Sequence, residues 1–207
     1  MALVAGYSYG FVFNSIVINA QANETLHNLQ SSLNLFLSGI VGWGIILILD
    51  LLVAWGIYEF FQQEQQKLAL FTALFRVVYT LFLGMAIFYL ISVLPLVREN
   101  ADATTVMAAL SSFNNFWSLG LIVFGLHLTG LGLLALKSSS VPSIFAWLLL
   151  FAGISYFGIH AAKALWPMLE NNIKQVELIL GFPMAIGEIA FALWLLIRGG
   201  KLKKAKQ

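Results

Sequence analysis

The chain contains no cysteine, so disulfides, thiolate metal ligands and cysteine nucleophiles are excluded at the outset. Charge is scarce too. Asp, Glu, Lys and Arg make up 10% of the 207 residues, against 60% hydrophobic, and mean hydropathy is +0.90. Soluble domains average about 25% charged residues, and this chain cannot build such a surface. Prolines number four, which leaves long stretches with nothing to break a helix. His-Glu-x-x-His, Gly-x-Ser-x-Gly and Walker A patterns are all missing. Their absence removes the usual metalloprotease, serine-hydrolase and ATPase signatures. No lysine stands in the middle of an apolar run, where a Schiff base would need one.

What the chain does have is apolar runs long enough to cross a bilayer, which takes about 20 residues as helix. They are too long and too unalternating for barrel strands. The expected fold class is all-α: a polytopic membrane helical bundle with six transmembrane helices, forming one domain over residues 1–207. The spans fall at about 2–20, 35–60, 68–94, 116–136, 143–165 and 178–197. Pro95 is expected to stop the third, Pro142 to open the fifth and Pro167 to end it, with a kink at Pro183 in the sixth. The stretch "INAQA", Ile18 to Ala22, contains the Ala-x-Ala step of a signal-peptidase site. No Lys or Arg precedes it, however, so a retained first span is the preferred reading.

Basic residues set the orientation. Lys67, Lys137, Arg198, Lys201, Lys203, Lys204 and Lys206 fall on one side, and Arg98, Lys163 and Lys174 on the other. The positive-inside rule then places both termini in the cytoplasm, in a multi-pass protein of the cytoplasmic (inner) membrane. The lysine-rich tail reads as a topology anchor rather than a nucleic-acid site.

Four ionisable residues interrupt the apolar runs. Asp50 lies in "ILILDLLVAW", and Arg76, His127 and Glu188 lie on the third, fourth and sixth segments. At 1.5 Å per residue each stands about 12–15 Å from the cytoplasmic end of its helix, so the four share one slab near mid-membrane. Charge at that depth rarely faces lipid. Arg76 is the expected counter-charge of Asp50, because a guanidinium stays protonated and grips a carboxylate with two donors. His127 and Glu188 form a second pair or join the same network, and His127 is the group able to change charge near neutral pH. Asn14, Tyr79, Thr80 and Tyr156 are supporting polar residues, with Gly84 on the Arg76 stripe letting a second backbone come close. A purely structural charge network fits the same residues.

Other features carry less. "SGIVGWG", Ser38 to Gly44, reads as a close-packing helix face. Gly125, Gly130 and Gly132 around His127 allow either close helix contact or space for a small ligand. His160, Lys163 and Trp166 share a face and read as an interfacial belt, with an outer vestibule including Glu170 and Glu177 as the alternative. No metal site is expected from these histidines and His27, and no cofactor.

The stretches "LFRVVYTLFLG" (Leu74 to Gly84), "FGLHLTGLGLLALKSSSVPSIFAWLLLFAGISYF" (Phe124 to Phe157) and "GEIAFALWLLIRG" (Gly187 to Gly199) carry a resemblance. With them the chain resembles the bacterial multi-pass membrane proteins catalogued as domain of unknown function 4386. The resemblance implies six helices. It also implies an acid on the second (Asp50), an arginine on the third (Arg76), a histidine on the fourth (His127) and a glutamate after glycine on the last (Glu188). It implies no activity. The expected function is a small transporter or proton/ion-coupled carrier, whose partners are membrane lipids, a small-molecule or ion ligand and a second copy of the chain. The alternatives are an intramembrane enzyme with Glu188 and His127 as acid and base, a lipid or small-molecule sensor, and an accessory subunit.

Overall fold

A computed structural model describes residues 1–18 and 21–199. The lysine-rich tail and Ala20 of the Ala-x-Ala step lie outside the described residues. All regular structure among the described residues is helical. Helix α1 comprises Ala2–Ala5, a π-helical stretch Gly6–Phe13 and Asn14–Ile16. At about 22 Å it is short for a hydrocarbon core of about 30 Å. The amphipathic α2, Ala22–Ser31, was not expected; it buries Thr25 and Leu29.

Helix α3 runs from Leu33 to Arg98 with one non-helical residue, Gln65 (φ −146°, ψ 63°), between its arms 33–64 and 66–98. The loop expected between the second and third spans thus contracts to a single residue. The intervening Gln, Glu and Lys residues are polar but good helix formers, so both arms run on to the bend. Pro95 does not stop the second arm, which continues to Arg98. A proline so near the C-terminus forfeits one ladder bond and leaves little helix beyond it to disturb. The stop is made instead by Asn100, at φ 52°. The Asn100 amide donates to the Val97 carbonyl, and the Ala101 amide to Leu96 at 2.9 Å. This is a Schellman closure with asparagine in the left-handed position.

Helix α4 spans Ala103–Lys137 and begins well before the expected start near 116. Ser111, Ser112, Asn114 and Asn115 make that stretch polar. Val106, Leu110 and Phe113 are buried at helical spacing through it, so the apolar stripe overrides the polar residues. Asp102 caps the helix, accepting bonds from the Thr104 and Thr105 hydroxyls and from the Thr105 amide at 3.2 Å. Those bonds, Thr104 first, hold the Asp102 carboxyl below its ordinary value of 3.8. The cap is therefore complete above that value and is lost as pH falls through the lowered one. Hydrogen exchange should show the Thr105 amide losing protection on such acidification, and Asp102→Ala should remove the protection at every pH.

Helix α5, Ser143–Leu165, opens directly after Pro142 as expected. Pro167 leads a short 3-10 turn, and α6 follows as Glu170–Trp194 with a π turn Leu195–Gly199. Pro183 lies inside α6, which starts a full two turns before the expected position near 178. Helices α3, α4, α5 and the Pro167–Gly199 stretch are long and apolar enough to cross a membrane.

The chain forms two compact units, residues 1–50 with 80–118 and residues 51–79 with 119–207. In the first, Trp117 stacks within 4.6 Å of Tyr9 and 5.1 Å of Trp43, with Phe13 and Phe113 completing an aromatic core. Gly39 and Gly42 pack on α1: a Cβ at Gly39 would stand 2.9 Å from a Val12 methyl, and one at Gly42 would overlap the Ser8 hydroxyl. The close-packing face expected at Ser38 to Gly44 is therefore present. Gly84 behaves otherwise, since its Cβ would meet only the tip of Leu47 at 3.5 Å. No second backbone approaches it that closely.

In the second unit α4 and α5 interlock through glycine. A Cβ on Gly125 would lie 2.5 Å from the Phe157 amide nitrogen and 2.7 Å from the Gly153 carbonyl. One on Gly153 would lie 2.6 Å from the Thr129 amide, and one on Gly132 would lie 3.0 Å from the Ala146 carbonyl. Lipid supplies no hydrophobic drive for helix association, so such close backbone contact is a main source of packing energy there.

Candidate functional site

The site is built from the second arm of α3 and from α4. Thr72 and Arg76 are four residues apart, so one helix face presents both. His127 on α4 meets that face. Its Nε2 is 2.9 Å from Arg76 Nη1, and its Nδ1 is 2.8 Å from the Thr72 carbonyl oxygen. A guanidinium only donates and a carbonyl only accepts. His127 must therefore accept at Nε2 and donate from Nδ1, which fixes a neutral imidazole and its tautomer. His127 is 0% exposed and Arg76 6%. At that burial an unmatched polar group is costly, and these bonds satisfy both ring nitrogens. The Thr72 hydroxyl is buried as well and has no hydrogen-bond partner among the described residues. It sits against Gly130, whose Cβ would lie 2.5 Å from Thr72 Oγ1.

Phe124, one turn before His127, is the hub of the site. Its ring centroid is 5.4 Å from Arg76 Cζ, 5.7 Å from the His127 ring, 4.9 Å from Tyr79 and 5.4 Å from Tyr156. The aromatic face thus lies within cation–π range of the guanidinium. Tyr156 on α5 donates its hydroxyl to the Glu188 carboxylate on α6. One turn further along α5, His160 stacks on Tyr156 at 6.2 Å and places Nε2 3.8 Å from Glu177 Oε1. Glu177 also holds Lys163 at 2.5 Å, and Glu170 pairs with Lys174 at 2.8 Å. His160 is buried and Lys163 is paired, so these two residues make a polar link between α5 and α6.

The sequence-derived residues divide as follows. Arg76, Tyr79, His127, Tyr156 and Glu188 belong to the second unit, where Phe124 gathers the first four. Asp50, 2% exposed, and Thr80, 4% exposed, belong to the first unit. Asn14, also there, is exposed and turns back to its own helix, its Nδ2 donating to the Gly10 carbonyl at 3.4 Å. His127 bonds Arg76 and Thr72, and Glu188 accepts from Tyr156. Phe124 and Thr72 were missed. Their spacing to His127 and Arg76, three and four residues, was the available signal. Gly125, Gly130 and Gly132, left open between packing and ligand space, stand in close helix contact. Among the described residues no group of three or more His, Asp or Glu is placed to hold a metal ion.

A family model described as Domain of unknown function (DUF4386) matches residues 1–199. An uncharacterized protein from Archaeoglobus fulgidus is 32% identical over 165 residues, covering 80% of this chain and 86% of that relative. The relative is archaeal, so the bacterial label of the resemblance is not carried over. No solved structure matches.

Proposed function

The chain belongs to the family described as Domain of unknown function (DUF4386), and on that footing we propose that it is a small proton- or ion-coupled carrier. In this reading it is a single six-pass domain of the cytoplasmic membrane, both arms of α3 crossing separately, with both termini in the cytoplasm. The distribution of Lys and Arg supports that orientation. The carrying observation is the buried Arg76–His127–Thr72 chain. It sets a fixed cation against a titratable group on helices apolar enough to cross a membrane, and intramembrane ionisable groups of this kind mark ion and proton pathways. Tyr156 and Glu188 carry the polar route toward α6.

One rival has its own observation. The glycine interlock beside His127 suits a network that only fixes helix rotation. Proteoliposomes loaded with a pH-sensitive dye separate the two. Sugars, amino acids, alkali cations and small oxyanions are offered one at a time. A carrier gives solute-dependent proton flux, and Glu188→Gln lowers it at least tenfold with thermal unfolding unchanged. No flux with any solute class, or full flux in the variant, contradicts the reading.

A further inference from the structure

Independently of the carrier reading, we infer that the helix-end face carrying Lys67, Lys137 and Arg198 binds the headgroups of anionic phospholipids. Lys67 opens the second arm of α3, Lys137 ends α4 and Arg198 lies in the π turn that follows α6. All three belong to the second unit. Contacts deeper in that unit put their ends together. A Cβ on Gly130 would stand 2.5 Å from Thr72 Oγ1, so α4 and the arm of α3 touch there. The two segments run antiparallel, since Phe124 meets Tyr79 while Gly130 meets Thr72. Lys67 precedes Thr72 and Lys137 follows Gly130, so both emerge at one end, about 8–11 Å beyond the contact. Gly199 joins them, because a Cβ there would stand 3.8 Å from Phe60 Cε2, just before the bend of α3.

The charge on this end is unmatched. Lys67, Lys137 and Arg198 are exposed and form no ion pair among the described residues. The carboxylates of the same end, Glu59 and Glu64, pair with none of them among the described residues. At the opposite helix ends, by contrast, Lys163 is held by Glu177 and Lys174 by Glu170. Helix dipoles account for two of the three cations, because Lys137 and Arg198 stand in last turns, where positive charge is favoured. Lys67 stands at the start of its arm, where the dipole favours an anion instead. An external anion settles all three charges at once.

The surroundings select a lipid as its source. These helices are long and apolar enough to cross a membrane, which puts their ends near the headgroups. Phe71, Leu133 and Leu196 lie within about one turn of the three cations and are exposed, so each charge stands above an apolar surface that acyl chains cover. A soluble anion meets the charges and leaves that surface bare. A zwitterionic headgroup brings its own cation to the site, whereas phosphatidylglycerol brings a phosphodiester alone. Arg198 can grip two of its oxygens, and the lysines act as point charges. Lys201, Lys203, Lys204 and Lys206 follow in the sequence and carry charge of the same sign.

The test reconstitutes the full chain in phosphatidylcholine vesicles containing spin-labelled phosphatidylglycerol or, separately, spin-labelled phosphatidylcholine. Electron paramagnetic resonance reads the share of each label held at the protein surface. At low salt, phosphatidylglycerol is expected to be preferred by roughly twofold or more, and high salt should bring the preference toward one. The triple variant Lys67→Gln/Lys137→Gln/Arg198→Gln should lose most of the preference. Glu170→Gln/Lys174→Gln, which removes a matched pair, should keep it. Replacing Lys201, Lys203, Lys204 and Lys206 by Gln should leave most of it in place. Equal association of the two labels with the unaltered chain overturns the assignment, as does full preference in the triple variant. Complete loss in the tail variant overturns it too, because the helix ends would then hold no lipid of their own. The salt series needs no variant, so it decides even where the triple variant does not fold: a preference that salt leaves unchanged contradicts an ionic headgroup site.

Discussion

Gly125→Ala is expected to destabilise the protein by about 1–3 kcal/mol or more, while Gly158→Ala on α5 leaves it unchanged or slightly more stable. The first substitution sets a methyl 2.5 Å from the Phe157 amide nitrogen and 2.7 Å from the Gly153 carbonyl. Both obstacles are backbone, so neither can rotate away and the two helices must separate. At Gly158 an added Cβ meets nothing within 4 Å, and exchanging glycine for alanine inside a helix favours it by roughly 0.5–1 kcal/mol. The pair is internally controlled: one residue type, one chemical change and two environments. Thermal or denaturant unfolding in nanodiscs reads the difference. Equal stability of the two variants would show that α4 and α5 do not meet through their glycines.

The second large effect concerns His127. Its replacement by leucine takes an acceptor from Arg76 and a donor from the Thr72 carbonyl, both in a region closed to water. Leaving such groups unmatched costs about 1–3 kcal/mol each, and more where one is charged. The loss should shrink when Arg76 is also replaced by leucine, because no cation then remains to be matched by the ring. A double-mutant cycle across Arg76 and His127 is expected to give a coupling of about 2 kcal/mol. Additive losses would mean that the two side chains act independently.

These two effects mark how far the sequence could be read. Depth and periodicity are local properties, and they placed Arg76, His127 and Glu188 on apolar helices and α5 between Pro142 and Leu165. Helix ends were less legible where polarity and helix propensity disagree. The stretch from Ser111 to Asn115 is rich in Ser and Asn, yet Val106, Leu110 and Phe113 carry the buried stripe through it. Gln65 carries the bend of α3 with neither glycine nor proline to mark it. Pro95 was given a stop that the left-handed Asn100 makes instead.

Rotation about each helix axis is the property the sequence hides most. His127 is paired with Arg76 and the Thr72 carbonyl because of how α4 and the second arm of α3 face each other, and a backbone carbonyl leaves no mark in a residue pattern. Glycine has the same limitation. Gly125 and Gly84 look alike as letters, yet one touches a neighbouring backbone and the other only a leucine tip. Phe124 was readable in principle, since it lies one turn from His127.

The clamp between Arg76 and Thr72 depends on the protonation pattern of one ring, that of His127. Nitrogen-15 magnetic resonance of histidine-labelled protein in lipid, with His127 assigned by comparison with His127→Gln, reads that pattern directly at neutral pH. The predicted spectrum shows a protonated Nδ1 and an unprotonated Nε2 in slow exchange with water. A proton on Nε2, or rapid solvent exchange at either nitrogen, would contradict the clamp between Arg76 and Thr72 and remove the basis for a coupled site.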